Sequence, residues 1–221
     1  MFTGIIEAVG QIKAINVNEQ GARLVVDTDT LDMSDVNLGD SIATNGICLT
    51  VVAYDNRSFS ADVSTETLTR TGFAHYQTGK AVNLEKAMLP TTRFGGHMVS
   101  GHVDGVAKVI AIEAKGNSTD YWFSMPAELA PYIAEKGSVT IDGISLTVNG
   151  LEQEKFRLTI VPHTVQQTII GDYKIGSSVN LEVDLIARYI ERLLLTKHNA
   201  AETKPVSGVT EALLARNGFI K

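Results

Sequence analysis

Two β-barrels of like sequence, six strands each, followed by a C-terminal α-helix, are the fold that this all-β chain predicts, and three observations carry it. The sequence repeats itself at an offset of 97 positions: Asn45-Gly46-Ile47-Cys48-Leu49-Thr50-Val51 returns as Asp142-Gly143-Ile144-Ser145-Leu146-Thr147-Val148, and Gly79-Lys80-Ala81-Val82-Asn83-Leu84-Glu85 returns as Gly176-Ser177-Ser178-Val179-Asn180-Leu181-Glu182. Gly4/Gly101, Ser41/Ser138, Phe59/Phe156 and Thr67/Thr164 keep the same register. A period this long marks duplicated domains, not solenoid repeats. Second, short alternating runs separated by turn formers fill each copy, the pattern of a small closed barrel. Third, beyond Asp184 the apolar spacing changes from that of a strand to that of a helix.

In the first copy the runs are Ile5 to Ile15, with the strand beginning as early as Phe2, then Arg23 to Thr28, Ser41 to Ala43, Leu49 to Tyr54, Phe59 to Val63 and Val82 to Leu84. Asn18-Glu19-Gln20-Gly21, Leu38-Gly39-Asp40, Asn45-Gly46 and Asp55-Asn56-Arg57 supply the turns. Short connecting helices are expected at Leu31 to Val36 and at Ala127 to Glu135, the latter after Pro126. Pro90 and Gly95-Gly96 punctuate the junction, giving domains 1–90 and 91–184 and a helical segment 185–221. In that segment Ile186, Ile190, Leu193 and Leu194 share one face, a stripe suited either to other copies of the chain or to its own barrel. A further helix is expected over Ser207 to Arg216, capped by Ser207 and stopped by Asn217-Gly218.

The 221 residues carry a net charge of -6 with scattered Lys and Arg, so no basic stripe is present to follow a nucleic-acid backbone. No apolar run has the length needed to cross a bilayer, and a strand beginning near Phe2 leaves no room for an export leader, so a cytoplasmic protein without membrane partners is expected. The single cysteine, Cys48, has no partner for an internal disulfide.

Strand alternation places Ile47, Leu49 and Val51 on one face and Cys48 and Thr50 on the other, and the second copy sets Ile144, Leu146 and Val148 opposite Ser145 and Thr147. A solvated face would account for either pair alone, but recurrence of the same small polar pair points to a binding wall in both copies. With serine at the site matching Cys48, covalent catalysis is not required. His97 and His102 flank Met98-Val99-Ser100-Gly101; on a strand they would face opposite ways, a poor arrangement for a shared metal. Where the first copy has Phe2, Ile5, Gly39, Cys48, Glu66 and Ala87, the second has Val99, His102, Lys136, Ser145, His163 and Asp184. One scaffold with unequal polar sets can hold like molecules in two roles, although drift after duplication would leave the same differences. Asp184 also suits a helix N-cap, and Lys136 a solvated turn.

Met1-Phe2-Thr3-Gly4-Ile5-Ile6-Glu7, the two Gly-Ile-Cys/Ser-Leu-Thr-Val segments, Gly95-Gly96-His97-Met98-Val99-Ser100-Gly101-His102-Val103 and the tail Ala212 to Phe219 together resemble riboflavin synthase of the alpha-chain type, a family of lumazine-binding repeats, over essentially the whole chain. The resemblance implies Greek-key barrels that each bind one 6,7-dimethyl-8-ribityllumazine, a homotrimer joined by C-terminal helices, active sites shared between subunits, and association with lumazine synthase. It also implies a dismutation without metal or redox cofactor. Carried over by motif, a first pocket would use Gly4, Ile5, Ile6, Cys48, Leu49, Thr50, Asp62, Val63, Ser64, Thr65, Glu66 and Thr67. A second would use Gly101, His102, Val103, Lys136, Ser145, Leu146, Thr147, Ile160, Val161, Pro162, His163, Thr164 and Val165. His102 and Ser41 are the expected proton-transfer groups, Cys48 a wall of the pocket that assists, and Asp184 a polarising group from another subunit. A noncatalytic lumazine or flavin binder is the alternative.

Overall fold

Inward side chains that alternate with outward ones fix the strands, because each pleated run presents every second residue to a barrel interior. In the computed structural model, which describes residues 1–202 and 211–219, the first barrel is built from β1 (Ala8–Asn18), β2 (Gly21–Asp27), β3 (Ser41–Thr44), β4 (Ile47–Tyr54), β5 (Ser58–Val63) and β6 (Ala81–Lys86). The second uses β7 (Gly105–Lys115), β8 (Ser118–Ser124), β9 (Ser138–Ile141), β10 (Ile144–Glu152), β11 (Lys155–Ile160) and β12 (Ser178–Val183). Strands close in the order β1-β2-β5-β4-β3-β6, and the second barrel repeats that order with each number raised by six. Register shifts at Ile12/Ala14 and Val51/Ala53 recur at Val109/Ala111 and Val148/Gly150, bulges that bend long strands enough to close the barrel.

Each barrel has its own apolar core, with Ile12, Leu24, Phe59 and Leu84 in the first and Val109, Phe123, Phe156 and Leu181 in the second. Ile47, Leu49 and Val51 are buried in the first core, as their alternation requires. Asn45-Gly46 and Asp142-Gly143 make the two-residue β3–β4 and β9–β10 hairpins, with positive φ at all four residues, the geometry for which Asn-Gly and Asp-Gly are suited.

These two hairpins meet tip to tip, and a buried polar network ties the barrels together around them. Asn83 Nδ2 donates to the Asp142 carbonyl and Asn180 Nδ2 to the Asn45 carbonyl, each at 2.9 Å. The Ile169 amide donates to Asn83 Oδ1 and the Gly72 amide to Asn180 Oδ1, again at 2.9 Å. Asn83 and Asn180, the middle of the repeated Val-Asn-Leu-Glu run, therefore each bond the opposite barrel with both ends of the amide.

Several sequence expectations are corrected. Phe2 does not begin a strand; it makes an isolated antiparallel bridge with Val99, its equivalent in the other copy. Leu31 to Val36 is a chain of turns, held by Leu31 N–H to the Thr28 carbonyl and Ser34 N–H to Asp32 Oδ1. Its buried residues are Leu31, Met33 and Val36. Only a 3-10 turn, Ala130–Tyr132, forms within Ala127 to Glu135. Conversely, α1 (Thr65–Arg70) and α2 (Pro162–Gln167), each leading into a 3-10 turn, went unforeseen because six residues are too few to display a period.

The first of two compact units, Met1–Leu185, contains both barrels; the other is Ile186–Lys221. In the latter, α3 (Leu185–Glu202) leaves Ile186, Tyr189, Ile190, Leu193 and Leu194 each more than half exposed. α4 (Glu211–Arg216) is a short helix before Asn217-Gly218, while the expected cap Ser207 lies outside the described residues. Among the described residues no helix is long and apolar enough to cross a membrane.

Candidate functional site

Each barrel is preceded by a leader, residues 2–6 and 99–103, and the two leaders cross. Paired back to back through Phe2 N–H to the Val99 carbonyl (2.8 Å) and Val99 N–H to the Phe2 carbonyl (3.1 Å), each leader continues onto the barrel of the other copy. The Gly101 carbonyl accepts the Cys48 amide at 2.9 Å, and the Gly4 carbonyl accepts the Ser145 amide at 2.8 Å. Val103 packs on the first core and Ile6 on the second. Both glycines have positive φ, 81° at Gly101 and 76° at Gly4, and a Cβ would stand 2.6 Å from Cys48 Cβ or 2.5 Å from Ser145 Cβ. Glycine is required at both places for conformation and for close approach.

A cleft of about 300 Å³ opens where the leader meets the first barrel, lined by Ile47, Cys48, Ser64, Glu66, Thr67, Arg70 and Thr71 with Gly101, His102 and Val103. Thr67 is set by the N-cap of α1, since Ser64 Oγ accepts the Thr67 amide at 3.1 Å. A larger cleft of about 580 Å³ runs beside β3 and β6, with Thr3, Ile5, Glu7, Ser41, Lys86 and Arg93 among its walls.

The grouping expected from sequence is therefore exchanged for most of the leader residues: Gly4 stands with Ser145 and Ile6 with the second core, and Gly101, His102 and Val103 stand with Cys48, while Ile5 lines the larger cleft beside the first barrel. Of the other first-barrel candidates, Leu49 and Val63 are core residues, Thr50 and Thr65 are exposed, and Asp62 is ion-paired with Arg23 on the outer face of β2 and β5. That guanidinium holds the Asp62 carboxyl below the usual carboxylate range. In the second barrel Ser145 and Leu146 are half-buried and Thr147 exposed on β10; Ile160 is buried, and Val161, Pro162 and His163 are exposed ahead of half-buried Thr164 and Val165 around α2. Lys136 sits at φ 66° where the first copy has Gly39 at 91°. A lysine here carries backbone strain that glycine avoids. Ser41, opposite Thr50 in the β3–β4 pairing, lines the larger cleft, so in one chain it does not share a cleft with His102.

Three polar groups escaped the sequence reading of the site. His97 is buried, with Nδ1 2.8 Å from Ser145 Oγ and Nε2 without a partner among the described residues. Burial pushes its pKa down, and the Asp184 charge opposes this. Lying one position before the repeat begins, His97 has no counterpart against Cys48. Glu85 and Glu182 are buried on β6 and β12 and bind the leaders. Their signal was a charged residue retained at the end of an otherwise buried repeated strand. Among the described residues no group of three or more His, Cys, Asp or Glu is arranged to hold a metal.

Crossed leaders on duplicated closed barrels, with a cleft at Cys48, define a protein of two lumazine binding domains, and the family of that description matches residues 3–87 and 100–184. The chain is 58% identical to riboflavin synthase of Photobacterium phosphoreum over 220 residues, all of both chains, and 43% identical to that of Bacillus subtilis (strain 168) over 99% of this chain and 100% of that one. It belongs to the riboflavin synthase family. Its fold is also similar to crystal structures of LumP complexed with 6,7-dimethyl-8-(1'-D-ribityl) lumazine, with a TM-score of 0.74, and with riboflavin, 0.76; both are 25% identical and cover 83% of this chain and 99% of that one.

Proposed function

We propose that the chain dismutates two molecules of 6,7-dimethyl-8-ribityllumazine, one giving a four-carbon unit to the other to form riboflavin and 5-amino-6-ribitylamino-uracil. The observation that carries this reading is the pair of equivalent crossed leaders, one seated on the Cys48 amide, where a cleft opens, and one on the Ser145 amide. Atoms balance on the two sides of the reaction without an added oxidant or reductant, so the residues need only bind, orient and move protons. The 7-methyl group of a lumazine is already acidic because the ring delocalises the carbanion. Aligning two bound rings lowers the barrier by about 7–11 kcal/mol, against about 3–5 kcal/mol from acid–base help. Orientation dominates.

In this reading Cys48, Thr67 and the Gly101–Val103 leader hold one ring, Ser145 with the Gly4–Ile6 leader holds the other, and His102 moves the proton. Because Ser41 and His102 open onto different clefts of one chain, their joint action needs two copies face to face. The exposed apolar face of α3 supplies a seam for the homotrimer that the family resemblance implies, and a cytoplasmic biosynthetic setting fits it.

Mixing the chain with the lumazine tests the activity: riboflavin absorbance should grow in at longer wavelength. A stable complex without new pigment would instead support a noncatalytic binder of the lumazine with which LumP is complexed. His102→Gln should slow turnover about 100-fold while leaving lumazine affinity within a few-fold, as expected for loss of a proton-transfer group; unchanged turnover removes His102 from the mechanism. Lys136→Gly should raise stability by about 1 kcal/mol through relief of backbone strain and yet weaken lumazine uptake. Unfolding and binding titrations on the same preparation check both halves of that expectation.

A further inference from the structure

We propose that Glu182 and Glu85 are positioning residues wired across the molecule, each holding the leader that closes the other barrel's pocket. This rests on the functional reading above. Glu182, on β12 of the second barrel, accepts the Ser100 amide (2.6 Å) and hydroxyl (2.7 Å) on Oε1 and the Gly101 amide (3.0 Å) on Oε2. Glu85, on β6 of the first barrel, accepts the Thr3 amide (2.6 Å), the Thr3 hydroxyl (2.7 Å) and the Gly4 amide (2.9 Å) in the same way. The hydroxyl then carries the restraint one step further. Ser100 Oγ accepts the His102 amide and Thr3 Oγ1 the Ile5 amide, both at 3.2 Å.

The leader is thus clamped from two sides, by the carboxylate of one barrel and by the Cys48 or Ser145 amide of the other. Those carboxylates are buried where an unpaired charge would be expensive, and desolvation raises both pKa values, that of Glu182 to about 6. Three charge-assisted hydrogen bonds per carboxylate offset that penalty. A carboxylate serving only its own barrel would bond that barrel's strands. Here the Glu182 side chain bonds Ser100 and Gly101, the residues beside Cys48, and the Glu85 side chain bonds Thr3 and Gly4, the residues beside Ser145.

Cys48 is the sole thiol and lies in the first-barrel cleft, so its alkylation by iodoacetamide reports occupancy of that pocket alone. In the wild-type chain 6,7-dimethyl-8-ribityllumazine should protect it. Glu182→Gln turns one acceptor into an NH2 facing the Gly101 N–H, and should raise the lumazine concentration for half-protection by about tenfold or more. Glu85→Gln, in the same barrel as Cys48, should leave that midpoint within about twofold, the smallest shift counted as a change, because it loosens the leader seated on Ser145 instead. Should Glu182→Gln fail to fold, Ser100→Ala, which deletes only the bridging hydroxyl, should move the midpoint in the same direction. A midpoint moved by Glu85→Gln instead, by both variants equally, or by neither Glu182→Gln nor Ser100→Ala overturns the crossed wiring. Absence of protection in the wild-type chain overturns the functional reading beneath it.

Discussion

Replacing Gly46 by alanine should destabilise the protein by about 3–4 kcal/mol. A Cβ at Gly46 would lie 2.7 Å from the Gly143 nitrogen and 3.0 Å from its Cα, and one at Gly143 would meet Gly46 in the same way. Both contacts are with backbone, which a rotamer change cannot relieve, and Gly46 has φ 77° besides. The methyl must push the hairpins apart, lengthening the bonds by which Asn83 and Asn180 reach across to the carbonyls of Asp142 and Asn45. Gly39 supplies the comparison. Its φ is 91° but nothing lies within 4 Å of its would-be Cβ, so Gly39→Ala carries only the backbone strain, about 1 kcal/mol. Urea unfolding of both variants at one protein concentration checks the claim. Equal losses in the two would mean that the hairpin tips do not bear on each other.

The contrast between these glycines shows what was legible in the sequence. An offset of 97 positions announced two like barrels, and the Asn45-Gly46 and Asp142-Gly143 pairs marked hairpins that do form. Ile47, Leu49 and Val51 point inward as their alternation demands, because a pleated strand has only two faces. That the hairpins touch was not legible, since a turn signal gives φ but no neighbour. Crossing of the leaders was hidden for a deeper reason. The repeat maps Gly4 onto Gly101 and Cys48 onto Ser145, so pairing Gly4 with either wall gives the same local pattern, and only the bonds from Cys48 to Gly101 and from Ser145 to Gly4 break the tie. Glu85 and Glu182 were legible only as members of the repeat. They are buried because a leader lies over each, which alternation within a single strand cannot express.

Asp142 should make the protein less stable as pH rises from about 4 to 6, and Asp142→Asn should abolish that dependence. The carboxyl is buried at the hairpin junction, accepting the Asn180 amide at 2.8 Å and the Tyr173 hydroxyl at 2.6 Å. Desolvation raises its pKa to about 6 from an ordinary 3.8, outweighing those two bonds and the attraction of Lys80. Below the ordinary value both folded and unfolded chains hold the proton, and Asp142 adds no penalty. Between the two values the unfolded chain alone has released it, so folding must take it up, and above about pH 6 the full penalty of about 3 kcal/mol applies. The first copy already shows the neutral solution: Asn45 Oδ1 accepts the Asn83 amide at 2.7 Å and its Nδ2 donates to Tyr76 Oη at 2.7 Å. An asparagine at 142 can copy this arrangement, but the Tyr173 hydroxyl then loses its acceptor, at a cost of about 1–2 kcal/mol. The variant should therefore be less stable than the wild type near pH 4 and more stable by about 1–2 kcal/mol at pH 8. Glu85, Glu182 and His97 titrate in both proteins and cancel in the difference, whose rise of about 3 kcal/mol across that range belongs to Asp142 alone. Paired urea titrations at pH 4, 6 and 8 measure it, and a difference that stays constant with pH would show that Asp142 is ionised as readily in the folded chain as in the unfolded one.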